Sequence, residues 1–217
     1  TVLGINKSAA MVTATVVIVV YTFLGGFNAV CWTDFFQGLL MLVALMIAPI
    51  IAVITLRSPG FVAPPANVGE HYYNILSSGS FDKNSIVDIL SGLGWGLGYA
   101  GMPHILIRYI SIKSEKEMRK SQIVGCAWIL LILIMASVVG IVGRQFLGDS
   151  LVESKSQSLV FVTMVREVFR FAPFVVGVLL SAILAASMST ADSQLLASSS
   201  AFASDVYKPL IRKKASN

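Results

Sequence analysis

The chain has 217 residues, of which 56% are hydrophobic and only 12% are charged, and its formal net charge is +5. Soluble domains carry about 25% charged residues, so this composition excludes an ordinary soluble domain and favours a membrane protein. The two cysteines, Cys31 and Cys126, are too few and too isolated for a disulfide framework or a zinc site. We expect the basic residues to lie in cytoplasmic loops rather than on a nucleic-acid-binding surface.

A membrane-crossing helix needs about 20 mostly apolar residues, and five segments fit this requirement. In chain order these segments cover residues 9–24, 33–56, 86–110, 121–143 and 173–203. The sequence therefore predicts an all-α polytopic membrane protein with about five transmembrane helices. Because the chain starts at Thr1 without an initiator methionine, we expect a fragment of a longer polytopic protein.

The loops between the predicted spans differ in length and charge. Two long loops, residues 57–84 and 144–172, precede the third and fifth spans, whereas short basic segments, residues 108–120 and 208–214, follow them. Basic residues in short loops near span ends mark the cytoplasmic side of a membrane protein. We therefore expect the third and fifth spans to run from outside to inside, with the two long loops facing outward.

The third span contains GWGLGYAGMPH, residues 94–104. Within a helix, glycine costs about 1 kcal/mol and proline about 3 kcal/mol relative to alanine, so another requirement must offset their presence. Glycines spaced as G-x-x-x-G indicate close helix packing, but packing does not explain the interleaved Trp95, Tyr99, Pro103 and His104. Non-helical backbone at membrane depth is tolerated where it lines a cavity, and transporters expose such backbone to their substrate. We favour a broken, ligand-lining helix over a pure packing seam.

The fifth span contains SAILAASMSTADSQLLASSS, residues 181–200, which is rich in hydroxyls and carries Asp192. Several oxygen-bearing positions fall on one face of a helix, namely Ala186, Ser189, Thr190 and Ser193. Hydroxyl and carbonyl oxygens are hard ligands that suit alkali cations. Serine and threonine hydroxyls also bond back to their own helix, an explanation that would suffice for a lone serine. Because intramembrane carboxylates are rare and usually functional, we favour an ion site.

A further polar feature is Asp34, which lies in FNAVCWTDFFQG near the inner end of the second span. A carboxylate at a helix N-terminus interacts favourably with the helix dipole. A carboxylate at this depth can equally supply a charged ligand to a cation. The residues alone leave both interpretations of Asp34 open.

Three motifs together resemble the sodium/solute symporter family, and within it the sodium/proline branch: YTFLGGFNAVCWTDFFQGLLM, GWGLGYAGMPHILIRYI and SAILAASMSTADSQLLASSSAFASDVYK. They occur in order over nearly the whole chain. The resemblance implies a LeuT-type inverted-repeat fold of about 13 spans. Residues 1–217 would then form a middle portion of one transmembrane domain, containing core helices four to eight. It also implies a multi-pass protein of the plasma membrane, which is the inner membrane in a bacterium.

The resemblance further implies a substrate-binding role for three residues. Trp95, Tyr99 and Pro103 match family positions that line the proline pocket on the broken sixth core helix. The first core helix of the family, which completes this pocket, is missing from the chain. The glycines and the proline would then open the helix so that its backbone meets a zwitterionic substrate.

The resemblance also implies two sets of sodium ligands. The carbonyl of Ala186 and the hydroxyls of Ser189 and Thr190 match part of the main sodium site, which the missing first core helix also completes. A second sodium site known in some relatives matches the other predicted ligands, Asp34, Asp192 and Ser193, together with Ser189. Those relatives have serine where this chain has Asp192.

We therefore expect sodium-coupled secondary active uptake of a small amino acid, with proline as the expected substrate. Sodium would be co-transported, and the partners would be the substrate, sodium and the lipid bilayer, without nucleic acid. The alternatives are a symporter-like sensor module of a signalling protein, or symport of pantothenate, a sugar or sialic acid. We do not expect an enzyme, because no H-E-x-x-H motif is present and His71 and His104 are far apart in the sequence.

Overall fold

The computed structural model describes residues 6–69, 72–74, 76 and 80–211. In this part of the chain the regular structure is entirely helical, which confirms the predicted all-α class. The α-helices of the described residues are α1 (Lys7–Leu56), α2 (Lys83–Ala100), α3 (Pro103–Ile110), α4 (Glu115–Leu147), α5 (Ser150–Glu153), α6 (Val160–Val168) and α7 (Pro173–Ala201). A 3₁₀ turn, Gln157–Leu159, precedes α6, and a π-helix, Phe202–Ile211, continues α7.

Three helical segments of the described chain are long and apolar enough to cross a membrane by length and composition: Ser8–Leu56, Glu115–Leu147 and Pro173–Ile211. They contain the first, second, fourth and fifth predicted spans. The structure divides the third predicted span, residues 86–110, into α2 and α3, as expected for a broken helix, and neither part is among these three segments.

The helix α1 is interrupted at Gly26, whose φ of 56° and ψ of −149° are non-helical. A positive φ is open to glycine because it has no Cβ atom. The 49 residues of the segment Ser8–Leu56 would extend about 74 Å as a straight helix, more than twice the thickness of a bilayer core of about 30 Å. We call residues 7–25 the N-terminal arm of α1 and residues 27–56 its C-terminal arm.

The buried core lies where the C-terminal arm of α1 packs against α4, α6 and α7. Ala44, Ala48 and Ala52 are fully buried and recur every four residues, so they line one face of α1. Such small side chains allow membrane helices to approach closely. Met164 and Val165 of α6 are also fully buried and belong to the same core cluster. This core holds α1 and α7 together beside the polar cluster described below.

The loop that follows α1 is fixed to the C-terminal end of α4 by Asp149. The carboxylate of Asp149 accepts hydrogen bonds from the backbone N–H of Asn67 at 3.1 Å and from its side-chain amide at 2.9 Å. Arg144 forms an ion pair with Asp149 and donates to the carbonyl of Asn67 at 2.9 Å. These bonds attach the first long loop to the core.

We expect Gly148→Ala to destabilise this attachment. Gly148 has a φ of +63°, and a Cβ atom there would lie 2.7 Å from Cβ of Pro64 and 2.8 Å from the carbonyl oxygen of Pro65. A non-glycine residue in such a conformation costs about 1–3 kcal/mol, and the contact with the loop adds to that cost. The measurement is the thermal unfolding midpoint of the purified protein. The control is Gly140→Ala, because a Cβ atom there meets no atom within 4 Å; equal midpoints for the two variants would contradict the prediction.

Candidate functional site

A buried polar cluster lies between α1 and α7. Asp192 is fully buried, and Asp34 and Ser193 are also buried. The hydroxyl oxygen of Ser193 lies 3.2 Å from Oδ2 of Asp34 and 3.3 Å from Oδ1 of Asp192. The structure thus brings together the three residues that the sequence analysis assigns to a second sodium site. Their role as sodium ligands stays a prediction.

Arg108 of α3 contacts the same cluster. Its guanidinium forms an ion pair with the carboxylate of Asp34 and donates a hydrogen bond of 2.5 Å to the hydroxyl of Ser193. The Arg108 side chain is 45% exposed, and it borders a cavity of about 260 Å³ between α1, α3 and α7. The sequence predicts a cytoplasmic basic segment that contains Arg108, but it does not predict this contact. An arginine at the end of a predicted span was the available signal, because such a charge needs a counter-charge.

Tyr21, from the N-terminal arm of α1, also contacts the cluster. Its hydroxyl donates a hydrogen bond to Oδ2 of Asp192. The sequence does not predict this contact either. A tyrosine within an apolar span needs a hydrogen-bond partner when it is buried, but the sequence does not say which carboxylate provides it.

Within the described residues, the cluster has a hydrogen-bond acceptor without a donor, and it has more carboxylates than positively charged groups. Oδ1 of Asp34 is buried and has no hydrogen-bond partner within the described residues, whereas buried polar atoms are normally paired. If both carboxylates are ionised, the charge of Arg108 balances only one of them. An uncompensated buried charge is costly. The arrangement is therefore suited to binding one monovalent cation through oxygen ligands.

The residues of the predicted main sodium site lie on α7, within two turns before the cluster. The hydroxyl of Thr190 bonds back to the carbonyl of Ala186 at 3.2 Å, and the hydroxyl of Ser193 bonds back to the carbonyl of Ser189 at 2.9 Å. These bonds are the helix-internal alternative considered from the sequence. Ser189 is half-buried, whereas Thr190 is exposed. The assignment of Ala186, Ser189 and Thr190 to a sodium site stays a prediction.

The helix of the third predicted span is broken at Gly101 and Met102, between α2 and α3. Met102 is extended, with φ of −67° and ψ of 133°, and Pro103 is the first residue of α3. In the described chain, no backbone N–H donates to the carbonyl of Gly101. The glycines of residues 92–98 lie within the regular helix α2. The predicted break therefore exists, and it lies within the motif of residues 94–104, directly before Pro103.

Trp95 and Tyr99 lie on one face of α2, just before this break. Their ring centroids are 5.1 Å apart and the rings are tilted by 32°. Both side chains are exposed, Trp95 at 73% and Tyr99 at 42%. The structure thus presents the predicted aromatic pair beside the freed backbone, with Pro103 immediately after it. The substrate-binding role of these three residues stays a prediction.

The short helix α3 links the helix break to the polar cluster. It begins at Pro103, packs against α7 and carries Arg108 five residues later. Five residues of α-helix rise about 7.5 Å. The same short helix therefore connects Arg108 with the backbone at Gly101 and Met102.

Comparison with known proteins identifies relatives over the entire chain. The profile of the sodium:solute symporter family matches residues 1–217. The chain is 37% identical over 217 residues to the high-affinity proline transporter PutP of Bacillus subtilis (strain 168), which covers 100% of this chain and 44% of that protein. It is 39% identical over 209 residues to the sodium/proline symporter of Staphylococcus aureus (strain USA300 / TCH1516), covering 96% of this chain and 39% of that protein.

A third relative is the osmoregulated proline transporter OpuE of Bacillus subtilis (strain 168), 36% identical over 218 residues, which covers 99% of this chain and 42% of that protein. The chain thus spans less than half the length of the curated relatives it matches. No solved structure matches the chain. The full-length family match and the apolar helices show a multi-pass protein of the plasma membrane, and the chain belongs to the sodium:solute symporter family.

Proposed function

We propose that the full-length protein uses the sodium gradient to take up proline, and that residues 1–217 form a middle portion of its LeuT-type transmembrane domain. The observation that carries this proposal is the buried cluster of Asp34, Asp192 and Ser193. Its two carboxylates face one guanidinium, that of Arg108. The names of the relatives at 36–39% identity, all proline transporters, favour proline as the substrate.

The cluster supplies the cation-binding step. Sodium binding offsets the negative charge that Arg108 leaves unbalanced and gives the unpaired Oδ1 of Asp34 a partner. The hydroxyl of Ser193, placed between the two carboxylates, provides a neutral oxygen ligand. Because the site is buried, the attraction between these groups is much stronger than it would be in water.

The helix break supplies the substrate-binding step. A proline zwitterion has an apolar ring, a carboxylate and an ammonium group. The rings of Trp95 and Tyr99 provide an apolar wall, and the free carbonyl of Gly101 accepts a hydrogen bond from the ammonium. The hydroxyl of Tyr99 donates to the substrate carboxylate.

The helix α3 couples the two steps. A cation that binds Asp34 weakens the attraction between Asp34 and Arg108, and Arg108 moves with α3 and with the break that precedes it. If cation binding favours the substrate-binding arrangement of the break, substrate binding must favour cation binding by the same factor. This reciprocity is the thermodynamic requirement of symport.

Ser189→Ala and Thr190→Ala are each expected to raise the sodium concentration for half-maximal uptake by about tenfold, because a hydrogen bond or ligand to a charged group contributes about 1.5–3 kcal/mol. The measurement is the sodium dependence of uptake, normalised to the amount of protein in the membrane. Ser187→Ala serves as the control, since the Ser187 hydroxyl is exposed and bonds to the carbonyl of Ile183 on its own helix. If both variants keep the wild-type sodium constant, the main-site assignment is wrong.

The proposal is tested by uptake of labelled proline into cells that lack their own proline transporters and express the full-length protein. We expect uptake in sodium medium and background uptake when choline replaces sodium. Excess unlabelled proline should compete, whereas pantothenate, sugars and sialic acid should not. Sodium-dependent uptake of labelled pantothenate, sugar or sialic acid, with only background uptake of labelled proline, would identify a different substrate.

A further inference from the structure

Tyr21 contacts the cluster from the N-terminal arm of α1. Its hydroxyl donates to Oδ2 of Asp192, while Asp34, from the C-terminal arm, contacts Ser193. The two neighbouring residues Asp192 and Ser193 therefore hold parts of α1 on both sides of the Gly26 kink. No feature of the proposed cation or substrate site yet accounts for this hydroxyl.

The hydrogen bonds available to Asp192 explain why the Tyr21 hydroxyl matters. Ser193 has one hydroxyl proton but three acceptors in reach: the carbonyl of Ser189 at 2.9 Å, Oδ2 of Asp34 at 3.2 Å and Oδ1 of Asp192 at 3.3 Å. One proton serves one of these acceptors well, and the carbonyl of Ser189 is the nearest. The Tyr21 hydroxyl is therefore the side-chain donor committed to Asp192.

The hydrogen bond from Tyr21 also fixes the orientation of the Asp192 carboxylate. With Oδ2 bound to Tyr21, Oδ1 of Asp192 faces Ser193 and, beyond it, Asp34. The carboxylate oxygens of both residues then lie around the Ser193 hydroxyl. Without the phenol hydroxyl, Oδ2 of Asp192 loses this donor, and the buried carboxylate is held less firmly in this orientation.

We infer that Tyr21 is a positioning residue for the co-transported cation: its hydroxyl holds Asp192 so that Oδ1 of Asp192 faces the cation-binding cluster. The inference rests on the proposed sodium symport and adds a residue to it. Tyr21 does not bind the cation in this account. It acts through Asp192, and this dependence makes the inference testable separately from the proposed function.

The test is direct binding of ²²Na⁺ to the purified full-length protein without substrate, expressed per molecule of folded protein. Tyr21→Phe removes the hydroxyl and keeps the ring. We expect it to raise the sodium dissociation constant about tenfold, the usual effect of losing a hydrogen bond to a charged group. Tyr109→Phe is the matched control, because it removes an exposed phenol hydroxyl, and it should leave the constant unchanged.

The decisive comparison is a double-mutant cycle with Asp192→Ser. If Tyr21 acts through Asp192, adding Tyr21→Phe to Asp192→Ser changes the sodium constant by less than about twofold, since the interaction is already absent. If Tyr21→Phe raises the sodium dissociation constant by the same factor in the wild type and in Asp192→Ser, the inference is overturned and the substitution has a general effect on folding. An unchanged constant in the single variant Tyr21→Phe also overturns it.

These outcomes are distinct from failure of the proposed function. A wild-type protein that binds sodium but does not transport proline refutes the proposed function, while the Tyr21 cycle still decides the inference. A wild-type protein that binds no sodium overturns both. The proline constant at saturating sodium should stay within about twofold of wild type in Tyr21→Phe, because the hydroxyl contacts α7 and not the aromatic pair.

Discussion

Replacing Trp95 or Tyr99 by alanine is expected to raise the proline concentration for half-maximal uptake by more than about tenfold. Each substitution removes half of a pair of rings whose centroids lie 5.1 Å apart beside the helix break. Burying an apolar ring against the bound substrate contributes about 1.5–3 kcal/mol, and each 1.4 kcal/mol is a factor of about ten in affinity. The measurement is the concentration dependence of labelled proline uptake at saturating sodium.

Tyr99→Phe separates the two contributions of Tyr99, because it keeps the ring and removes the hydroxyl. We expect a proline constant between those of the wild type and Tyr99→Ala. Leu97→Ala is the control, since Leu97 lies two residues from both rings on the other side of α2 and is exposed. Sodium binding without substrate should not change in any of these variants. Unaltered proline constants in both alanine variants would mean that this stretch packs against other helices and that the pocket lies elsewhere.

The second large effect is expected from Asp34→Asn, which should raise the sodium concentration for half-maximal uptake by more than about tenfold. The amide keeps the shape of the side chain and one oxygen but removes the charge that pairs with Arg108. With Arg108 and Asp192 charged, the net charge of the cluster then changes from negative to zero, so the attraction for a cation is lost. The measurement is the sodium dependence of proline uptake, with the amount of protein in the membrane determined in parallel.

The structure also weakens the alternative interpretation of Asp34. The residue lies eight positions after the Gly26 kink within α1, and the effect of a helix dipole falls off within the first turn. The control is Asp205→Asn, because the carboxylate of Asp205 is exposed in the π-helix. Near-normal sodium dependence of Asp34→Asn would return Asp34 to a structural role.

The long helices and the main cluster residues were predictable from the sequence alone. Apolar runs of about 20 residues give the membrane-crossing helices, and the rarity of intramembrane carboxylates singled out Asp34 and Asp192. The apolar runs and the buried carboxylates can both be recognised from short stretches of sequence, because they depend on composition and on the cost of burying a charge. The structure then placed these two carboxylates on either side of Ser193.

The cluster contacts of Arg108 and Tyr21 could not be assigned from the sequence. Arg108 lies 74 residues from Asp34 in the sequence, and Tyr21 lies 171 residues from Asp192. No spacing or periodicity connects such distant positions, so these contacts depend on how α1, α3 and α7 pack. The sequence showed only that each polar group needed a partner.

The position of the helix break follows from proline chemistry instead of glycine content. Pro103 has no backbone N–H and disfavours the helical conformation of the residue before it, and Met102 is extended accordingly. Each glycine lowers helix stability by only about 1 kcal/mol, which neighbouring residues offset in α2. The break therefore lies directly before Pro103, inside the motif of residues 94–104 that the sequence singles out.

The most direct test of sodium-coupled proline transport is uphill accumulation in proteoliposomes that contain the purified full-length protein. Labelled proline is supplied at equal concentration on both sides, and a sodium gradient is the only driving force. We predict that proline accumulates inside when sodium is high outside, and that the accumulation disappears when the gradient is dissipated. Equal proline concentrations on both sides throughout the experiment, with the protein shown to be folded and inserted, would contradict the account.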